Sequence, residues 1–347
     1  MRARFHAFSL HNLLIIAALA TLNSCAAKEE PQPESKPPRV IMIVIDSLRY
    51  DHLNAYGFRR ETAPNIAQLV SESVSFDRAI SPSNYTGLSV PAIFTGKHPS
   101  QFLDPHPPSF WIPKEEKTLA ESFKDAGFDT FLWSANMHLK KRGFGQGFTN
   151  KTTHYLQTKG SISIEGMIRQ IKDKYHSNGK PEFHYVHTMD VHSPYLPPHP
   201  FEWQFISRAA PYVRHISKTG VPLDDLGERI ESSLPYYAET HDLEFDDNQH
   251  LKNLYDGSIR YTDHYLPELL ETLNYDPNSD MLIITADHGE QFYLHGWWGH
   301  GRLLLPEEIH VPLIIKHPDF PPPLCFRPHK SRRPLPHPLR NLQPGKI

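Results

Sequence analysis

Two patterns of apolar positions take turns along the chain. Short unbroken apolar runs, Val40–Ile45 (VIMIVI), Val74–Ile80, Asp129–Trp133, Phe183–Val186, Met281–Thr285 and Val311–Ile315, have the length and make-up of strands covered on both faces. Between them lie segments of helical period. One runs from Thr62 and Pro64 to Glu72 with Ile66, Leu69 and Val70 on one face. Others are a short apolar helix ending at Gly96, Lys117–Ala126 stopped by Gly127, and Ile162–Tyr175. The longest, His250–Leu273, turns Leu251, Leu254, Ile259, Leu266, Leu269 and Leu270 inward and carries Pro267 as a kink point. Strands alternating with helices predict an α/β fold with a large, mostly parallel mixed sheet flanked by helices on both faces. In such a sheet, ligands collect beyond the carboxyl ends of the strands.

Those ends carry chemistry. The stretch Met281–Gly301 reads MLIITADHGEQFYLHGWWGHG: an apolar run delivers Asp287 and His288, and His295 and His300 follow in a glycine-rich loop. Carboxylate oxygen and imidazole nitrogen suit a divalent ion, although a solvated polar turn would read the same way. Asp46 closes the first apolar run, either as a further ligand or as a cap for the next turn. Thr86 lies at the first turn of the helix that ends at Gly96. There it is either an N-cap or a hydroxyl placed to attack an anion held by the helix amides. His192 follows the run Phe183–Val186; alone it reads as a structural histidine, but several equipped strand ends together favour a shared site. Phe144–Phe148 is an aromatic-glycine loop to which the sequence assigns no chemistry.

Composition limits the partners. A formal net charge of -3 provides no basic field, so nucleic acid is not expected, and 23 His supply many neutral metal ligands. Only Cys25 and Cys325 occur, which rules out a disulfide framework. Residues 1–25 read as a signal peptide: Arg2 and Arg4 precede the apolar run Leu13–Leu22, which is too short to span a bilayer. Its end, Leu22-Asn23-Ser24-Cys25, resembles the lipobox of bacterial lipoproteins, which implies a periplasmic or cell-envelope protein anchored to a membrane through lipid on Cys25, with plain secretion as the alternative. Residues 26–38 form a Pro-rich tether. Residues 39–319 make the globular domain, with the irregular stretch 197–247 a candidate for substrate selectivity. Residues 320–347 are crowded with Pro and Arg, as in a disordered basic tail or the product of truncation or a frameshift near Phe320.

The motifs IVIDSLRYDHLNAYG, IFTGKHPS, HTMDVHSPY, YDGSIRYTD, ADHGE and GHG, in this order, resemble the sulfatase family of the alkaline phosphatase superfamily across nearly all of Arg39–Asp319. The resemblance implies a metal-dependent hydrolase or phosphotransferase of sulfate or phosphate esters, with a glycan or lipid head group as substrate. It places Asp46, Asp287 and His288 as ligands of one divalent ion (Ca, Mg, Mn or Zn) and Thr86 as the nucleophile. His192, His300 and Lys316 fall where relatives contact the sulfate or phosphate group, or a second metal in the phosphotransferase relatives; Asn136 and His295 are weaker transfers. Two departures stand out. Where sulfatases carry Cys or Ser in C/S-x-P-x-R, oxidised to formylglycine, this chain has Thr86-Gly87-Leu88-Ser89-Val90. Threonine cannot become formylglycine, and a Thr nucleophile resembles the phosphoethanolamine transferases, as does Ser47 in place of the second Asp of an Asp-Asp pair. The family's smaller carboxyl-terminal subdomain is also missing from the expected position after Asp319. A non-catalytic protein that uses the same crevice to bind an anionic glycan or lipid is the competing expectation.

Overall fold

The structure, a computed structural model, describes residues 37–102, 111–140, 143–153, 155–156, 160–193, 195–206, 245–296 and 298–320. The expected signal peptide, nearly all of the tether, most of the irregular stretch and the tail beyond Phe320 lie outside them. Its centre is a seven-stranded sheet built from β1 (Arg39–Ile45), β2 (Val74–Ser75), β3 (Asp129–Ser134), β4 (Asn150–Thr153), β5 (Glu182–Thr188), β6 (Met281–Thr285) and β7 (Leu313–Lys316). The spatial order is β2-β7-β6-β1-β5-β3-β4. Strands β6, β1, β5, β3 and β4 run parallel, while β7 is antiparallel to both β6 and β2.

Period-two alternation splits the core between the two faces. Ile41, Ile43 and Ile45 of β1, Phe131 and Trp133 of β3, and Leu282 and Ile284 of β6 face α1 (Pro64–Ser71), α4 (Ile164–Lys174) and the long α5 (Phe245–Thr272). Val44, Leu132, Phe183 and Tyr185 face the opposite way, toward α2 (Thr86–Thr95) and α3 (Leu119–Asp125). Helices therefore cover both faces, as the pattern of runs predicts. The Phe144–Phe148 loop resolves as packing: both rings are buried, and Phe94 of α2 lies 6.3 Å from Phe144 and 5.6 Å from Phe148.

Caps follow the sequence in places and tertiary structure in others. Thr118 and Glu121 form a reciprocal capping box on α3. At α1 the first amides have no local cap; Asp263 of α5 reaches across and accepts from the amides of Asn65 and Ile66. Two expected strands are shorter than the apolar runs suggest. Val74–Ile80 breaks into β2 and the pair Ala79–Ile80, and Val311–Ile315 divides at Pro312, so that His310–Val311 pairs with Ala79–Ile80 while β7 joins the main sheet. Proline has no amide to donate to a ladder, which makes Pro312 the natural switch point. Among the described residues, no helix is long and apolar enough to cross a membrane.

Candidate active site

Parallel register brings the chemistry together. Val44 pairs with His187 on one side and Thr285 on the other, and Ser134 pairs with His187, so β1, β3, β5 and β6 end at one level. Just past that level sit Asp46, Asn136 and Asp287. Asp46 continues the alternation of Val44 and so turns to the α2 side, where Thr86 opens its helix.

Asp46, Asp287 and His288 are fully buried, and one ligand atom of each lies within 4.8 Å of the other two. His288 Nε2 is 3.6 Å from Asp46 Oδ1 and 3.6 Å from Asp287 Oδ2. The remaining atoms of the three side chains are already engaged. Asp46 Oδ2 accepts from Asn136 Nδ2 at 2.9 Å and lies 2.9 Å from His187 Nε2. Asp287 Oδ1 accepts the His288 amide at 3.0 Å, which leaves Oδ2 buried with no hydrogen-bond partner. His288 Nδ1 donates to the Gly289 carbonyl at 2.8 Å, so the neutral ring keeps its lone pair on Nε2. An orphaned carboxylate oxygen, a second carboxylate and an imidazole lone pair converging in a dry site fit a divalent cation.

Thr86 Oγ1 lies 3.1 Å from that same His288 nitrogen, at the first residue of α2. The helix starts there because Tyr85 is extended, and it ends at Gly96 in the left-handed region. Burial alone would push the Asp46 carboxyl up, but the His187 hydrogen bond and the nearby His192 and His288 hold it well below the usual carboxylate range. Ser47 takes φ 61°, an uncommon conformation for a side-chain-bearing residue, and its hydroxyl donates to Asp46 Oδ1 at 3.1 Å. The residue in place of a second acid is thus a hydrogen-bond donor to the first.

His300 and His192 complete the cluster. The His300 ring lies 4.1 Å from that of His288 and 5.1 Å from that of His192. His300 Nδ1 sits 3.2 Å from Glu290 Oε1, and His192 Nδ1 contacts the Ser193 carbonyl, so in both rings Nε2 is the nitrogen left for a ligand. Glu290 is fully buried. Burial raises its pKa, yet His300, His192 and His288 together hold it below its ordinary value.

Lys316 does not join them. Because β7 runs antiparallel to β6, Leu313 faces Thr285, and each further residue moves away from the Asp287 end. Lys316 therefore stands opposite Leu282, and its ammonium pairs with Glu72. His295 is exposed on its turn, 4.0 Å from Glu307. Sequence reasoning missed His187 and Glu290 as supports. The available signal was polarity: each is an ionisable residue inside or beside a run whose neighbours are all buried.

With this geometry in view, comparison with known proteins places the chain. Residues 38–337 match the family model described as Sulfatase. An ulvan-active sulfatase of Formosa agariphila is 31% identical over 119 residues, 33% of this chain and 22% of that protein. The putative transferase YhbX of Escherichia coli K12 is 27% identical over 283 residues, 79% of this chain and 42% of that protein. The chain thus spans less than half the length of either relative. Among solved structures, the C-terminal periplasmic domain of EcEptC from Escherichia coli, in complex with Zn, superposes with a TM-score of 0.59 at 15% identity, covering 81% of this chain and 73% of that one. Further relatives include phosphoethanolamine transferases. With the family model matched over most of its length, the chain belongs to the sulfatase family of the alkaline phosphatase superfamily.

Proposed function

We propose that the protein is an exported, metal-dependent enzyme that cleaves or transfers phosphate or sulfate esters through a covalent intermediate on Thr86. The observation that carries this reading is Thr86 Oγ1, 3.1 Å from His288 Nε2 and beside the buried Asp46–Asp287–His288 cluster. Asp46 Oδ1, Asp287 Oδ2 and His288 Nε2 would hold the ion. A divalent cation bound there supplies Lewis acidity, lowering the pKa of a neighbouring hydroxyl and polarising an ester oxygen.

In the proposed reaction Thr86 Oγ1 forms a bond to the phosphorus or sulfur as the bond to the leaving alcohol breaks, and the alcohol oxygen takes up a proton. His300 and His192, each anchored through Nδ1, present Nε2 to the non-bridging and leaving oxygens, where developing negative charge needs donors. Glu290 fixes the His300 ring. Water, or an acceptor hydroxyl, then attacks the Thr86 ester and regenerates the hydroxyl. Threonine argues for phosphate over sulfate, since it cannot form formylglycine, and transferases among the relatives support an alcohol acceptor. The periplasmic domain among the structural neighbours and the lipobox-like end at Cys25 support a location in the cell envelope.

A screen of aryl phosphate monoesters, diesters and sulfates across Zn, Mn, Mg and Ca, paired with intact-mass analysis, tests this reading. Turnover with a phosphate or sulfate adduct on Thr86, and loss of both in Thr86→Ala by about a thousandfold or more, is the expected result. Undiminished turnover in Thr86→Ala would remove the threonine from the mechanism. Absence of any turnover, with ligand binding intact, would favour the binding-only alternative.

A further inference from the structure

We propose that a cavity beside the catalytic cluster is a second anion subsite that receives an acidic sugar ring of the substrate. The cavity, about 580 Å³, lies between the Arg49–Arg60 loop and the first described turns of α5, with Phe292 on its wall. That volume is in the ordinary range for small-molecule sites. It shares a wall with the catalytic cluster. Arg49 Nη1 donates to the Glu290 carbonyl at 3.1 Å, and the carboxylate of the same Glu290 orients His300. The assignment rests on the ester-cleaving or transferring reading above, and specifies the kind of molecule that carries the ester.

Charge is the first argument. Four cationic side chains line the cavity against two carboxylates. Arg49 pairs with Asp51 at 2.7 Å, and Arg60 with Asp256 at 2.6 Å. Arg59 and Lys252 have no carboxylate partner among the described residues, which leaves two positive charges uncompensated. Lys252 is half-buried on α5, and burial together with the charge of Arg49 pushes its pKa down. An arriving anion would relieve both effects.

Shape is the second. The other walls are aromatic: Tyr50 and Tyr56 lie 4.1 Å apart, and the Arg49 guanidinium sits 4.9 Å over Phe292. A lone sulfate or phosphate ion would leave most of the volume unfilled, and an acyl chain would meet charged side chains. A sugar ring with a carboxylate, sulfate or phosphate satisfies both walls, its apolar face on the rings and its anion on Lys252 and Arg59. The substrate is then an acidic glycan carrying at least two anionic groups, one at the catalytic cluster and one here.

The test is calorimetric titration of the full chain carrying Thr86→Ala, so that binding is read without turnover. The probes are a sulfated glucuronate-containing disaccharide, its unsulfated form, a phosphorylated disaccharide, a neutral disaccharide, inorganic sulfate and anionic phospholipid vesicles. Acidic disaccharides should bind at least about tenfold more tightly than the neutral one or sulfate alone, and the tightest of the three identifies the anion. Lys252→Glu and Arg59→Glu should each weaken binding about tenfold, while Lys252→Arg retains it. Equal affinity in Lys252→Glu, equal binding of the neutral disaccharide, or capture by vesicles with no disaccharide binding would overturn the assignment. Aryl-ester turnover in the wild type is scored separately, so loss of one conclusion leaves the other standing.

Discussion

His187 Nε2 lies 2.9 Å from Asp46 Oδ2, and both side chains are sealed from solvent. The pairing fixes which Asp46 oxygen faces the cluster, because Oδ2 is fully occupied by His187 and Asn136 while Oδ1 points to His288. Burial lowers the pKa of the His187 ring, but the Asp46 carboxylate more than offsets this and raises it. His187→Ala should therefore leave the three ligand residues in place yet lower affinity for the activating metal about 10- to 100-fold, as loss of a partner to a ligating group does elsewhere. Competition titration against a chelator would measure this. Unchanged affinity would mean that Asn136 alone suffices to orient Asp46.

Asp287 makes the opposite test, because its Oδ2 is buried and unpartnered. Metal should raise the melting temperature of the wild type, by the equivalent of about 2.7 kcal/mol when free metal is a hundred times Kd. Asp287→Asn should lose most of that rise. In the metal-free state the same variant should melt at or above the wild-type temperature, since it removes a buried negative charge lying close to Asp46. A scanning-calorimetry series with and without chelator reads both effects, and a variant that keeps the full metal-induced rise would exclude Asp287 as a ligand.

The sequence was most legible where one physical rule acts alone. Met281–Thr285 and Val40–Ile45 are apolar because both sheet faces are covered, and the residue types that follow them announced Asp46, Asp287 and His288 before any coordinates. Thr86 required family spacing as well, since an N-cap threonine and a nucleophile look the same in one dimension. Lys316 was misplaced because strand direction is a tertiary fact: an antiparallel β7 inverts the end at which its last residue stands. His187 was hidden for a related reason. Within a buried strand, only the parity that aligns it with Phe183 and Tyr185, on the α2 face, shows that it meets Asp46. The cap of α1 by Asp263, 198 residues away from Asn65, has no local signal at all.

At the other end of the sheet, Arg39, Tyr175, His184 and Glu182 form a buried network, with Arg39 Nε 2.8 Å from Glu182 Oε2. Burial raises the Glu182 carboxyl, but bonds from His184, Tyr175 and Ser177 outweigh it and hold the pKa at about 2. A carboxyl near 4.3 when unfolded and about 2 when folded stabilises the protein above the unfolded value, and that stabilisation is lost as pH falls through the folded one. The contribution is on the order of 3 kcal/mol. Stability should therefore fall between about pH 5 and pH 2. Glu182→Gln should be destabilised at neutral pH and show a shallower loss across that window. Urea midpoints measured at several pH values would check both, and parallel curves for the two proteins would show that Glu182 does not drive the acid transition.

Gly289 separates positioning from ligation in the metal loop. A methyl group there would lie 2.1 Å from the Glu307 carbonyl oxygen, against which the loop is already held by the Glu290 amide donating to that same oxygen and the Gly289 amide donating to Glu308. Backbone on both sides leaves nothing flexible to yield. Gly289→Ala must push the loop off this support and carry His288 and Glu290 with it, at a cost of about 1–3 kcal/mol. The expected outcome is a lower melting temperature together with weaker metal binding, although no ligand atom has been removed. The control is Gly296→Ala, where a Cβ meets nothing within 4 Å and only its φ of 86° resists, and which lies outside the cluster. That variant should lose stability modestly with metal affinity unchanged. If both alanine variants bound metal as the wild type does, tight packing under Gly289 would not be what holds His288 in place.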